Sequence, residues 1–458
     1  MSPGTLLIVI CACALAGYYQ GSSRAAAVAV AHGGVRALPA LPSHYGAYVA
    51  LMALLPALLV MAVWLTFDGM LIEQLLLGSL PPELLGQDHG LLLNSIAILA
   101  GDPARDAGDP ALLTAALRLI ELRRQSQWGM ALGAGATAVI GAALAWRRVS
   151  MRFAARVVVE RIFTRLLLLC AVMAVVTTLG ILLSVIFESW RFFQMVSPVE
   201  FLFGLEWSPQ IALRADQQGS SGRFGAVPLF AGTLLISSIA LIVAVPVGLM
   251  SAIYLSEYAS RRMRSRLKPL LEILAGIPTV VYGFFAALTV APLIRDLGHA
   301  LGLAASSESA LAAGLVMGVM IIPFVSSLAD DIIHAVPLGM RDGSLALGAT
   351  RSETIKRVVI PAALPGIVGG VLLAASRAIG ETMIVVMAAG LSARLTANPF
   401  ESVTTVTVQI VTLLVGDQEF DSPKTLAAFA LGLVLFLVTL GLNIFALHIV
   451  RRYREQYE

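Results

Sequence analysis

Charge is what this chain has least of. Only 13% of its 458 residues are Asp, Glu, Lys or Arg, against about 25% in a soluble domain. That scarcity excludes an ordinary water-facing surface over most of the chain. Cysteine is also rare. Cys11, Cys13 and Cys170 all fall inside apolar runs, which excludes a disulfide framework and a cysteine-metal cluster and leaves small buried hydrophobes. No Gly-x-x-x-x-Gly-Lys-[Ser/Thr] occurs, so the chain has no phosphate-cradling loop for ATP. No basic block interleaved with aromatics occurs either, and nucleic acid is excluded as a partner.

What the chain has instead is apolar length: 58% of the residues are hydrophobic and the mean hydropathy is +0.87. The expected fold class is therefore all-α, a polytopic membrane protein with lipid as its solvent. Runs near 3–20, 46–66, 129–146, 166–187, 228–254, 269–291, 310–328, 365–390 and 425–450 are each long enough, at about 20 residues, to cross a bilayer. Residues 1–20 lack a positive leader and a small-residue cleavage site, so they are expected as a retained first span rather than a signal peptide.

Lys and Arg fix the expected orientation. Segment 147–165 carries Arg147, Arg148, Arg152, Arg156, Arg161 and Arg165; segment 257–268 carries Arg261, Arg262, Arg264, Arg266 and Lys268. Arg451, Arg452 and Arg454 follow the last run, whereas 393–424 is acidic, with Glu401, Asp417, Glu419 and Asp421. Threading the runs in order puts every basic segment on one side. That side is expected to be the cytoplasm, with the N-terminus outside and the C-terminus inside.

The chain divides at residue 147. Residues 1–146 hold three runs and a polar loop, 67–127, with Asp102-Pro103, Asp106 to Asp109-Pro110 and a helical pattern over 111–125. The loop has no metal-ligand spacing and no nucleophile constellation; it is a small helical subdomain or a sensing or docking site. Residues 147–458 hold six runs and an outward loop, 188–227, with Trp190, Trp207-Ser208-Pro209 and Gly219-Ser220-Ser221-Gly222. That loop is either a connector or a place for an external solute-binding protein.

Three features of the second part carry chemistry. The cytoplasmic stretch 329–364 contains Asp342-Gly343-Ser344, then Gly348, then Val358-Val359-Ile360-Pro361. Small residues allow close approach, Gly348 tolerates a positive φ, and Pro361 suits the start of a helix; a helix–turn–helix is expected along the membrane face. Arg377 lies mid-run, where a charge costs about 2.5–3.5 kcal/mol and demands a partner or a wet cavity. Glu381 is four residues on, and Thr382 follows it; on a continuous helix Arg377 and Glu381 share a face. They are either a structural ion pair or a site where an oxyanion competes for the guanidinium. Gly276, Pro278 and Gly283 interrupt a run, as a packing kink or as a broken helix at a pathway. Tyr282 beside them either packs or hydrogen-bonds an oxyanion.

The spacing over 342–361 resembles the EAA motif of ABC importer permeases, with Asp342 for the usual Glu and Gly343-Ser344 for two alanines. Phe224-Gly225-Ala226-Val227-Pro228 with Gly232-Thr233, Gly276-Ile277-Pro278-Thr279-Val280-Val281-Tyr282-Gly283 and Ser376-Arg377-Ala378-Ile379-Gly380-Glu381-Thr382-Met383 resemble phosphate-specific members, the PstC-type permeases. The resemblance extends over most of 160–450 and leaves 1–146 as an added extension. It implies a bacterial inner-membrane permease for inorganic phosphate that is not an enzyme and binds no cofactor. Its implied partners are an ATP-binding cassette ATPase dimer, a sister permease and an extracytoplasmic phosphate-binding protein. Asp342, Gly343, Ser344, Gly348 and Pro361 would couple to the ATPase. Arg377, Glu381, Thr382, Tyr282 and Pro278 would line the pathway. Another oxyanion (sulfate, molybdate or a phosphonate) or a transporter-like sensor remain the alternatives.

Overall fold

The computed structural model describes residues 2–30, 34, 38–80, 89–101, 110–210, 222–415 and 422–454. Asp102-Pro103, Asp106 to Asp109, Gly219 to Ser221 and the acidic residues Asp417, Glu419 and Asp421 lie outside them. Among the described residues, nine helices are long and apolar enough to cross a membrane. Two compact units, Met1–Val176 and Thr177–Glu458, divide the chain within one helix. The expected division stood at 146/147.

The first unit contains α1 (Pro3–Val30), α2 (Pro42–Leu77), α3 (His89–Gly101), α4 (Pro110–Arg148) and the start of α5 (Ala155–Met195). The buried residues of α1, namely Leu6, Ile10, Ala14, Gly17, Gly21, Ala25 and Ala29, recur every three or four positions and form one narrow stripe. Lipid is as apolar as leucine, so membrane helices associate through such small-residue seams rather than by hydrophobic sorting. The closest approach joins α4 to α2: a Cβ on Gly141 would lie 2.1 Å from the carbonyl oxygen of Met52. Tyr45 Oη donates to the Phe153 carbonyl at 2.9 Å. Cys11 and Cys170 are exposed and Cys13 is half-buried against the core of Leu6, Ile10 and Ala57, so the expectation of buried thiols is corrected: Cys11 and Cys170 occupy outward faces, where lipid is the neighbour.

At 36 and 39 residues, α2 and α4 extend about 54 and 58 Å, well beyond a hydrocarbon layer of about 30 Å. The excess, with α3, encloses a separate apolar core that includes Ile72, Leu76, Leu92, Ile96, Leu119 and Leu122. Residues 67–77 and 110–127 of the polar loop expected over 67–127 are thus the overhang of two spanning helices.

In the second unit α5 is followed by α6 (Pro198–Phe203) and a two-residue antiparallel ladder, β1 (Trp207–Ser208) on β2 (Arg223–Phe224). Edge-to-face rings of Phe192, Phe193, Phe201 and Phe224 pin this segment. The Trp207 indole donates to Gln409 Oε1 at 3.0 Å. Next come α7 (Val227–Ile253), α8 (Arg261–Ala275), α9 (Thr279–Phe285), α10 (Ala291–Ala300) and α11 (Ala310–Ala335). After them lie α12 (Leu338–Ala346), α13 (Arg351–Thr354), α14 (Ile360–Ile379), α15 (Met383–Ala388), α16 (Val406–Leu414) and α17 (Pro423–Arg454). Helix α11 is the central one, 61% buried over its spanning window. Its Ala and Gly positions let α7 and α14 pack against it.

Two expected spans are corrected. The run 269–291 is not one helix, because α8 ends at Ala275 and the span runs Thr279–Ala300. Helix α8 alternates basic residues with Leu267, Leu270, Leu271 and Leu274 and buries none of its residues, the pattern of a helix lying in the interface. Pro278, at φ −57° and ψ 136°, is the cap residue of α9. Gly276 and Pro278 therefore separate a surface helix from a span rather than interrupting one. The run 365–390 is also two pieces, since α14 stops at Ile379 and α15 begins at Met383.

The close approach at Gly141 makes a specific expectation. Gly141→Leu should destabilise the first unit by about 1–3 kcal/mol or more through forced separation of α2 and α4. Gly135→Leu, where an added Cβ meets nothing within 4 Å, should be neutral; a detergent-phase melt followed by tryptophan fluorescence compares them.

Candidate functional site: a broken span and a coupling hairpin

Glu381 lies between two helices rather than within one. Its carboxylate accepts from the backbone N–H of Met383 at 3.1 Å and, more weakly, of Ile384 at 3.5 Å. It thus supplies negative charge to the first turn of α15, where the helix dipole favours it. Thr407, on α16, donates its hydroxyl to the Glu381 carbonyl at 2.9 Å. Thr382 Oγ1 reaches only its neighbour's carbonyl, that of Gly380, at 3.4 Å. The expected one-turn pairing of Arg377 with Glu381 is therefore corrected: the helix ends between them, and the carboxylate serves the backbone.

Arg377 is instead in the last turn of α14, with its guanidinium carbon 5.6 Å from the centroid of the Phe324 ring on α11. A cation over an aromatic face is worth about 0.5–2 kcal/mol and leaves the planar guanidinium's hydrogen-bond donors unspent for an oxyanion. Tyr282 is 9% exposed and shares one core with Ala378, Ile384 and Val385. Its hydroxyl donates to the Leu274 carbonyl at 3.0 Å, closing the end of α8. Of the two readings of Tyr282, the occupied hydroxyl favours the structural one. Pro278 is exposed at the same break.

The stretch 329–364 folds as a hairpin. Helix α12 ends at a turn in which Gly348 has φ +85°, the left-handed region where glycine is favoured. Thr350 then opens α13 through a capping box with Glu353. Ser344 Oγ and Thr354 Oγ1 are 3.0 Å apart, tying the hairpin's arms together. Asp342 and Gly343 are exposed, and Leu338 and Leu347 stand out at 70% and 91% exposure. Pro361 falls in the first turn of α14, as expected, although no break precedes it. The backbone runs from α13 through one π-helical turn, Ile355–Val359, into α14. There the Ile360 N–H reaches back to the Ile355 carbonyl, and the wider turn makes room for the proline ring just beyond it.

Sequence reasoning missed what anchors this hairpin. Glu257, 8% exposed, follows α7 and lies 3.1 Å from the guanidinium of Arg341 on α12. The contact is ionic without hydrogen-bond alignment. Arg341 also donates to the Ile333 carbonyl at 2.6 Å. Arg351 donates to the Glu257 carbonyl and lies over the Tyr258 ring at 5.3 Å. A lone acid inside a basic segment, Glu257 among Arg261 to Lys268, was the available signal.

Family comparisons divide along the chain. A family model described as "Phosphate ATP-binding cassette transporter" matches residues 7–177. Another, "Binding-protein-dependent transport system inner membrane component", matches 244–455. The "Phosphate transport system permease protein PstC 1" of Mycobacterium tuberculosis is 35% identical over 279 residues, 56% of this chain and 82% of that protein. The chain belongs to the PstC family of permeases. A further PstC relative, from Mesorhizobium japonicum, is 33% identical over 59% of this chain and 83% of its own length. The "Probable ABC transporter permease protein YqgH" of Bacillus subtilis is 34% identical over 53% of this chain and 75% of itself. The match at 7–177 covers most of the N-terminal extension with a family model of its own, separate from the one that matches 244–455.

The Glu257 anchor has a measurable strength. Arg341→Ala leaves a buried carboxylate uncompensated and should cost about 3–5 kcal/mol. Glu257→Gln in the same background should recover much of it, and no recovery in thermal melts would refute the ion pair.

Proposed function

We propose that this chain is the membrane pathway of an ATP-driven importer of inorganic phosphate and that Arg377 is the residue the anion meets in mid-passage. The observation that carries the reading is the position of Arg377: at a helix end among spanning helices, held by a ring face rather than by a carboxylate. A guanidinium so placed needs an anion, and its planar fork fits phosphate oxygens in pairs. Glu381 and Thr382 form the break that brings Arg377 to the pathway, and Tyr282 and Pro278 hold the opposing break. PstC-type relatives favour phosphate over sulfate or molybdate as cargo.

The hairpin 338–360 is the element that receives force. Its exposed Leu338 and Leu347 suit the groove of a soluble ATPase, and Arg341 and Arg351 pass its displacement to α7 through Glu257. The ATPase would be a separate dimer, because the sequence has no phosphate-cradling loop of its own. A sister permease and an extracytoplasmic phosphate-binding protein complete the assembly. The chain itself performs no covalent chemistry and binds no cofactor. The basic segments set the hairpin in the cytoplasm, with the N-terminus outside and the C-terminus inside.

The test is uptake of labelled phosphate by the whole transporter in vesicles. Arg377→Ala should reduce uptake at least about 100-fold, on the scale of a lost charge-assisted contact, with ATP hydrolysis retained. Arg377→Lys should recover part of it. Full uptake in Arg377→Ala would refute the pathway role.

A further inference from the structure

A cavity of about 230 Å³ lies between α8 and α11, on the basic side of the second unit. Its walls include Lys268 and Glu272 from α8 and Phe324, Ser326, Ser327 and Asp330 from α11. Phe324 is the ring beneath the Arg377 guanidinium, so the cavity is the next space along from Arg377 towards the hairpin.

Two features of this cavity are unexplained by packing. Ser326 is 1% exposed and its hydroxyl has no hydrogen-bond partner, a state that costs about 1–3 kcal/mol in a folded interior. Asp330 is 2% exposed and bears two cations. Arg264 Nη2 donates to both its oxygens at 3.0 Å, and Lys268 Nζ donates to Oδ2 at 2.9 Å. The carboxylate holds the Lys268 ammonium charged and raises its pKa. One buried carboxylate with two cations leaves a positive surplus. Lys268 also donates to Asp331 Oδ1 at 3.2 Å, but Asp331 is 66% exposed and Glu272 lies at the open rim, where water screens both, so the buried carboxylate and its two cations dominate the inside of the cavity.

Resting on the proposed phosphate pathway, we infer that this cavity is a second anion station and that it selects oxyanions carrying a proton. Lys268 and Ser326 donate to the anion's oxygens. Asp330 has about four acceptor positions, of which Arg264 and Lys268 fill three; the remaining one accepts the anion's own O–H. Hydrogen phosphate has that proton at neutral pH and sulfate does not. Sulfate would set an unprotonated oxygen against a carboxylate, and a site built to accept from a ligand O–H rejects the analogue lacking it.

The experiment uses the whole transporter with Cys11, Cys13 and Cys170 replaced by alanine and Ser327→Cys as reporter. An anionic thiosulfonate reagent is applied from the cytoplasmic face, and mass spectrometry reads the peptide bearing the new thiol. Inorganic phosphate is expected to slow labelling, and sulfate at the same concentration is not. Ser326→Ala and Lys268→Gln should each raise the phosphate concentration for half-protection roughly tenfold, with Lys268→Arg restoring most of it. Labelling indifferent to phosphate, equal protection by sulfate, or no shift in either variant overturns the station. If wild-type vesicles take up phosphate and Arg377→Ala vesicles do not, such a failure leaves the pathway reading intact; absence of wild-type uptake defeats that reading instead.

Discussion

A peptide group inside a bilayer has no water to bond with, so every departure from helix must be answered by the protein itself. The second unit departs at 276–278, at 380–382 and along 389–405, and each departure has its answer. Tyr282 closes the first through the Leu274 carbonyl. Glu381 and Thr407 close the second. The third is tied to the start of α11 and the segment before it by main-chain bonds: Ser306 to Phe400, Ala310 to Glu401 and Leu311 to Pro399.

The same constraint shapes how the hairpin joins the spans. The π-helical turn at 355–359 lets α13 continue into α14 without a break despite Pro361, and a second one, Tyr254–Tyr258, ends α7 beside Glu257. Each turn widens the helix by one residue where an ion pair or a proline needs room. The Glu257–Arg341 contact thus joins a π-helical turn to the regular helix α12. Rigid rods on either side with one adaptable turn between them suit an element that passes displacement rather than absorbs it.

Much of this architecture was legible in the sequence, because run length and charge placement report the bilayer directly. The positive φ of Gly348 followed from the 342–361 spacing, and the capping box at Thr350 is written in Thr-x-x-Glu. Where the reading failed, hydropathy had no power to decide. The leucines of α8 look like the start of a span until their alternation with Arg261 to Lys268 is weighed as an interfacial face. Arg377 and Glu381 satisfy the one-turn rule only if the helix continues, and Gly380 followed by a carboxylate that caps the next helix defeats it. Pairs distant in sequence, such as Arg264 with Asp330 or Glu257 with Arg341, were invisible because they depend on which helices become neighbours.

Helix α5 has the highest mean hydropathy of the spanning helices, 2.8, and 0% of its window is buried within the chain. Its affinity for the bilayer therefore comes from partition into lipid, not from neighbours. During synthesis such a helix can leave the translocation machinery and persist as a finished element before the five later spans emerge. Within the second unit the most autonomous span thus enters ahead of α11, which needs company on nearly every side and finds α7 already present to receive it.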